Sequence, residues 1–191
     1  MSYRPIGGRC SAALTEILVL GRLYRRPRHG YDIRQSLQQS LGGLVQITNG
    51  QLYPALHKLE SEGAVTRSVE RQEGKPDRHL YTITADGRAR LRAAVADLPP
   101  ALAAHDTEFY VRVAWFGLIS PEARIAVLRA RRGALLARRE RVSTWGAHPA
   151  AERAEFLRAL GQLRAETFDV ELAWLDRQIA EAEREIPASG P

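Results

Sequence analysis

The chain has 191 residues, 45% of them hydrophobic and 26% charged, enough to bury a core as one domain or two small ones. A single cysteine, Cys10, excludes an intramolecular disulfide and a Cys-cluster zinc site, and no apolar run approaches the ~18 residues that cross a bilayer. The net charge of +6 is uneven: residues 1–98 hold 15 Lys and Arg against 9 Asp and Glu, whereas residues 99–191 hold 13 of each, so a polyanion is the expected partner of the first half alone. With no basic leader running into an apolar segment, a cytoplasmic protein is expected, and Cys10 reads either as a small apolar residue or as a redox thiol.

Leu14, Ile17, Leu18, Gly21 and Tyr24 trace one side of a first helix, while Val19, Leu20 and Leu23 fill the others. It is therefore expected between two surfaces, one its own domain and the other a partner subunit. The turn Arg25-Arg26-Pro27-Arg28 ends it, and a second helix follows from about Gly30 with Ile33, Leu37 and Leu41 inward. Thr48 and Gln51 have the spacing of a capping box and open a third helix. Its leucines Leu52, Leu56 and Leu59 form one buried stripe, which leaves Gly50, Tyr53, His57, Lys58 and Ser61 on other faces. Pro54 lies inside this helix, where its missing N–H and its ring work against the Gly50 carbonyl, so a tightened or bent first turn is expected. Gly63 ends the helix after about a dozen residues by offering φ > 0.

Beyond Gly63 the apolar period drops to two. Val65 and Val69 flank Arg67 and Ser68, and Leu80 to Thr84 make a second β-rich run. Gln72-Glu73-Gly74-Lys75-Pro76-Asp77-Arg78 between them demands a turn, with Lys75 and Arg78 at its tip. A fourth helix, Ala85 to about Leu98 with Leu91 and Val95 inward, leads to Pro99-Pro100, where a domain boundary is expected.

A polar helix of this length with leucines behind it, followed by a basic hairpin, has the layout of a winged helix-turn-helix: the helix suits a major groove roughly 12 Å wide and the hairpin tip suits phosphate. Three segments make this specific. They are His29-Gly30-Tyr31-Asp32-Ile33, then Gly50-Gln51-Leu52-Tyr53-Pro54-Ala55-Leu56 with Leu59-Glu60-Ser61-Glu62-Gly63, and Arg78-His79-Leu80-Tyr81-Thr82-Ile83-Thr84-Ala85-Asp86-Gly87. Their order and spacing resemble the PadR family of bacterial transcriptional regulators over residues 12 to about 92. The resemblance implies a mainly α protein: an N-terminal winged helix-turn-helix with a two-stranded wing (residues 1–98) and a C-terminal helical dimerisation and effector domain (residues 101–187).

That second half carries no strand signal and reads as three helices. Residues 106–118 are apolar nearly all round and are expected to form one enclosed helix. Ser120-Pro121 starts another, with Ile125, Leu128, Leu135 and Val142 inward. Its arginines, Arg129, Arg131, Arg132, Arg138, Arg139 and Arg141, either contact nucleic acid or lie on an outer face paired with the Glu-rich last helix. This last helix, about Ala150 to Ile186, carries two seams with coiled-coil spacing. One is Phe156, Leu160, Leu163, Thr167, Val170 and Trp174; the other is Phe168, Leu172, Leu175, Ile179, Ala182 and Ile186. One seam is expected on the protomer's own helices and the other on a partner, giving a homodimer on a pseudo-palindromic operator.

Asn49, Gln51, Tyr53, His57 and Lys58 are the candidates for reading double-stranded DNA, since Asn or Gln can pair with adenine and Lys with guanine or phosphate. Gln51 competes with its own capping role. Lys75 and Arg78 are candidate phosphate contacts on the wing. The family resemblance adds Tyr31 and Arg34 at the start of the second helix, although Tyr31 reads equally as a buried aromatic. It also implies a small aromatic or amphipathic effector, for which Trp115, Phe116, Trp145 and Trp174 are either the lining or simply core. No cofactor or membrane is expected, and the lone His57–Glu60 pair makes no metal site. No nucleotide loop, nucleophile elbow or zincin motif favours an enzyme. The reading is a repressor released by its effector; the alternative is a basic helical protein-interaction module without effector binding.

Overall fold

The computed structural model describes residues 11–38, 47–71, 78–145 and 154–187. Cys10, Leu41 and the wing tip with Gly74, Lys75 and Pro76 lie outside the described residues. The elements are α1 (Ala12–Leu23), β1 (Arg28–His29), α2 (Gly30–Gln38), α3 (Asn49–Ser61), β2 (Val65–Glu70), β3 (Arg78–Ile83), α4 (Ala85–Ala96), α5 (Asp106–Val113), a 3-10 turn (Phe116–Leu118), α6 (Pro121–Ser143) and α7 (Ala154–Glu185). They fall into two compact units, Met1–Val95 with Tyr110–Leu118, and Ala96–Phe109 with Ile119–Pro191.

In the first unit α1 is the core. Ser11 caps it by accepting the Leu14 N–H at 3.0 Å. Leu14, Ile17, Leu18, Val19, Leu20 and Leu23 are all buried, packed on α2, α3 and β3. The second surface expected from a partner subunit comes instead from the chain itself: the Trp115 indole lies over Gly21, where an added Cβ would come within 2.5 Å of the ring, and meets Tyr24 edge-on at 6.1 Å. Removing Cβ at Gly21 is what admits so large a ring.

The sheet has three strands in the order β1-β3-β2, both pairings antiparallel. The hairpin β2–β3 is the wing foreseen from the alternating pattern. The third strand was not foreseen, because Arg28 and His29 are too few to show a period; their partners Tyr81 and Leu80 supply the ladder. Gly63, at φ +73°, turns the chain from α3 into β2. Gly87 permits a close crossing at the start of α4, where a Cβ would lie 2.1 Å from the Ala64 carbonyl oxygen.

In the second unit α6 and α7 form an antiparallel hairpin. Ser120 caps α6 with Pro121 at its first position. Ile125, Leu128, Leu135 and Val142 are buried as expected, and so, against expectation, is Arg131 at 1% exposure. By phase Arg131 occupies the stripe position skipped between Leu128 and Leu135, so it faces inward with its neighbours. Its guanidinium is satisfied by Glu171 (2.8 Å), Asp106 (2.6 Å) and the Ala103 carbonyl (3.1 Å), with the Phe109 ring beneath at 5.2 Å. Burial opposes its charge, but the bonds to Glu171 and Asp106 outweigh this and push its pKa up. The outer arginines pair with α7: Arg124 with Glu185, Arg129 with Glu183, Arg132 with Asp176 and Arg139 with Asp169. Arg129, Arg132 and Arg139 of the arginine run thus meet acidic side chains of α7, while Arg138 donates to the Ala104 carbonyl at 2.7 Å.

The helix expected over residues 106–118 stops at Val113 and continues as the 3-10 turn, with Trp115 N–H bonded to Arg112 O and Leu118 N–H to Trp115 O, both at 2.9 Å. Seating Trp115 on Gly21, together with Gly117 in the following turn, overrides the local apolar pattern. Phe109 and Val111 are buried, whereas Ala114 and Gly117 are exposed, so this segment is not enclosed on every side.

Candidate nucleic-acid interface

The third helix presents its polar face because its apolar face is fully committed. Leu52, Leu56 and Leu59 are at most 2% exposed. The capping box closes: Gln51 Oε1 accepts both the backbone N–H and the hydroxyl of Thr48 at 3.1 Å. Gln51 is thus held by its cap and only half-buried, while Asn49, Tyr53, His57 and Lys58 are exposed. Pro54 sits within the helix on the exposed face. By phase the centre of that face is Gly50, Pro54, His57 and Ser61, so the His57 ring stands at its middle among small or compact neighbours.

Two hollows flank this face. The first is lined by His29, Gly30, Tyr31, Asp32, Tyr53, Arg78, His79 and Tyr81. It brings together three residues singled out from sequence, Tyr31, Tyr53 and Arg78, from α2, α3 and β3. Tyr31 is 65% exposed, which removes its reading as a buried aromatic. That role belongs to Tyr81, 2% exposed, whose phenol is pushed up in pKa by burial, with Glu60 and Tyr53 adding to the shift and Arg67 opposing it. The second hollow is lined by Ala12, Thr15 and Glu16 of α1 with Gly50, Gln51, Pro54 and Lys58 of α3.

The charges around the face are partly tied. Arg67 Nε donates to Glu60 Oε1 at 2.9 Å, His57 Nδ1 lies 3.7 Å from Glu60, and His29 Nε2 lies 3.5 Å from Glu70. Lys58 Nζ stands 3.9 Å from Glu62. Arg34 is half-buried on α2 and does not line either hollow; Arg78 is exposed. Among the described residues there is no cluster of three or more metal-ligating side chains, and no helix is long and apolar enough to cross a membrane.

The four aromatic candidates for an effector site do not form one cluster within either unit. Trp115 and Phe116 belong to the first, Trp115 packed on Gly21 and edge-on to Tyr24. In the second, Trp174 meets Phe109 edge-on at 6.3 Å, and Trp145, 40% exposed, lies beside Gly161. Sequence reasoning missed His29, Asp32, His79 and Tyr81 in the first hollow, since the two-residue strand that gathers them carries no pattern. It also missed Glu16 in the second.

A leucine-anchored helix with a bare polar face, beside a β-hairpin that supplies an arginine, defines a winged helix-turn-helix. Residues 19–93 match the model of the Transcriptional regulator PadR-like family. Over 73 residues the chain is 34% identical to the negative transcriptional regulator PadR of Bacillus subtilis, which is 38% of this chain and 40% of that protein. A second relative, the Rv1176c protein of Mycobacterium tuberculosis, is 29% identical over 79 residues, 41% of this chain and 42% of that one. The chain's matches therefore span about two fifths of these relatives' length. Among solved structures, Bacillus subtilis PadR in complex with operator DNA aligns over 87% of this chain and 98% of that one, with 20% identity and a TM-score of 0.43. The same protein with p-coumaric acid aligns over 89% and 99%, with 19% identity and a TM-score of 0.40.

Proposed function

We propose that this chain is a sequence-specific DNA-binding transcriptional regulator, a repressor acting as a homodimer. The observation that carries the proposal is the face of α3: three leucines hold the helix from behind, and its exposed side lies between two hollows with Tyr31, Tyr53 and Arg78 on one flank and Lys58 on the other. Asn49, Tyr53 and His57 then reach base edges, Gln51 is restrained by its cap, and Tyr31, Arg34, Lys58, Lys75 and Arg78 serve the backbone. Residues 1–98 do the reading and residues 101–187 join the protomers. The N-terminal charge excess fits this division.

Support for the dimer lies on α7. Of its two seams, Phe168, Leu172, Leu175 and Ala182 are buried, whereas Phe156 (77%), Leu163 (58%) and Val170 (73%) are exposed. A second copy covering that stripe by two-fold symmetry would set two reading helices about 34 Å apart, one helical turn of DNA. Release by a small aromatic effector is part of the proposal, with Trp115, Phe116, Trp145 and Trp174 as the reporters.

A fluorescence anisotropy titration with the duplex upstream of the chain's own coding sequence tests the reading. Tight, salt-dependent binding that exceeds binding to scrambled DNA is expected; equal affinity for both at every ionic strength would sink sequence-specific regulation. Adding p-coumaric acid and other phenolic acids while following Trp emission tests release: loss of DNA with a changed emission is expected for an effector, and a flat response across the panel counts against it.

A further inference from the structure

Arg90, on α4, belongs to neither hollow, yet it bridges three helices. Its guanidinium holds Glu16 of α1 in a two-pronged contact, with Nη2 donating to Oε2 at 2.9 Å, and its Nη1 donates to Glu62 at the end of α3. The other oxygen of Glu62 stands 3.9 Å from Lys58 Nζ, too far for a hydrogen bond. Both carboxylates border the face of α3: Glu16 lines the second hollow, and Glu62 caps the helix one turn beyond Lys58.

Left alone, these carboxylates would work against an anionic partner. Glu62 sits at a helix C-terminus, where the dipole disfavours negative charge, so it needs a cation. The nearest on its own helix is Lys58 at i, i+4, in the less favourable order with Lys first. Arg90 satisfies that need with a planar fork that can serve two carboxylates at once, which an ammonium does less well. Lys58 is thereby left 59% exposed with a loose partner.

We propose that Arg90 is a positioning residue for DNA binding: by holding Glu62 and Glu16 it frees the Lys58 ammonium for a phosphate and lowers the negative potential at the edge of the reading face. This rests on the DNA-binding reading above. Arg90 itself need not touch DNA.

The test is a salt titration of the full chain against the labelled upstream duplex, comparing wild type with Arg90→Ala, Glu62→Gln, Arg90→Ala/Glu62→Gln and Lys58→Ala. One phosphate contact changes log K by about 0.9 per decade of salt, so Arg90→Ala should weaken binding about tenfold near ~50 mM salt and reduce the slope by about one, as Lys58→Ala does. The double variant should recover to within about threefold of wild type, because the competing carboxylate is gone. A purely bracing role for Arg90 gives no such rescue, and a double variant no better than Arg90→Ala overturns the proposal, as does an Arg90→Ala protein with unchanged affinity and slope. Should Arg90→Ala fail to fold by circular dichroism, Glu62→Gln alone decides: tighter binding than wild type supports the proposal, and equal or weaker binding overturns it. Wild-type protein that ignores every duplex overturns the DNA reading and this inference together, whereas tight wild-type binding with insensitive variants removes only the inference.

Discussion

At Tyr81 burial and charge meet in one side chain. The ring is enclosed, its hydroxyl faces Arg67, and the phenol is held above its ordinary value of 10.0 chiefly by burial. A raised folded-state pKa on an acid means the unfolded chain releases its proton first. The stabilisation is thus complete below about pH 10 and is lost as pH climbs through the folded value. Thermal unfolding followed from pH 8 to 11 should show a falling Tm above about pH 10 that Tyr81→Phe blunts; an identical slope in the variant would remove Tyr81 as the cause. For Arg78, exposed at the end of the wing, replacement by Ala should weaken operator and unrelated duplexes alike and reduce the salt slope by about one. A loss confined to the operator would instead mean that Arg78 reads bases. Much at this scale was legible beforehand: the Thr48 and Gln51 spacing, the three leucines and Gly63 are local signals with local causes. Arg90 was not, since its bond to Glu16 joins residues 74 apart and leaves no mark in spacing. Nor was Arg131, whose charge hid its place on an apolar stripe.

Among elements, the crossing of α4 over the start of β2 is the tightest dependence on a single atom. Gly87 lets the helix approach the Ala64 carbonyl, and Thr84 ties the same corner by donating its hydroxyl to Gly63 O at 2.8 Å while accepting the Gly87 N–H at 3.0 Å. Gly87→Ala places a methyl against backbone rather than against a side chain that can yield. A loss of about 2–3 kcal/mol in chemical denaturation is expected; a cost no greater than that of an ordinary surface change would show that the helix can lift without penalty. Among the described residues, sequence reading found each α-helix and the hairpin, because these runs are long enough to reveal a period. It lost β1, two residues long, and overextended α5, where tertiary seating of Trp115 outweighed a run of apolar residues. The first hollow was illegible for the same reason: its walls come from α2, α3 and β3, joined through that short strand.

For the whole molecule, the uncovered stripe of α7 sets the expectation of assembly. Leu163→Glu and Val170→Glu together introduce two charges into that stripe without touching the buried Phe168 seam. The pair should convert a dimer to a monomer in sedimentation and leave helix content intact, since like charges facing across a two-fold axis repel. Operator affinity should then fall steeply, as each protomer reads one half-site. An unchanged sedimentation coefficient would place the protomer contact elsewhere.

The enclosed guanidinium of Arg131 has a consequence for how the α6–α7 hairpin chooses its alignment. Apolar heptads alone tolerate sliding by seven residues, because leucine meets leucine again. Arg131 meets Glu171 in the observed alignment; sliding one way offers Arg164 and the other Gln178, neither able to neutralise it. The enclosed Arg131–Glu171 pair, with the exposed pairs of the same two helices beside it, therefore favours one registration among several greasy ones. Arg131→Met should keep the hairpin folded yet multiply the amide resonances of α7, and one sharp set of peaks would show that the lock lies in the leucines after all.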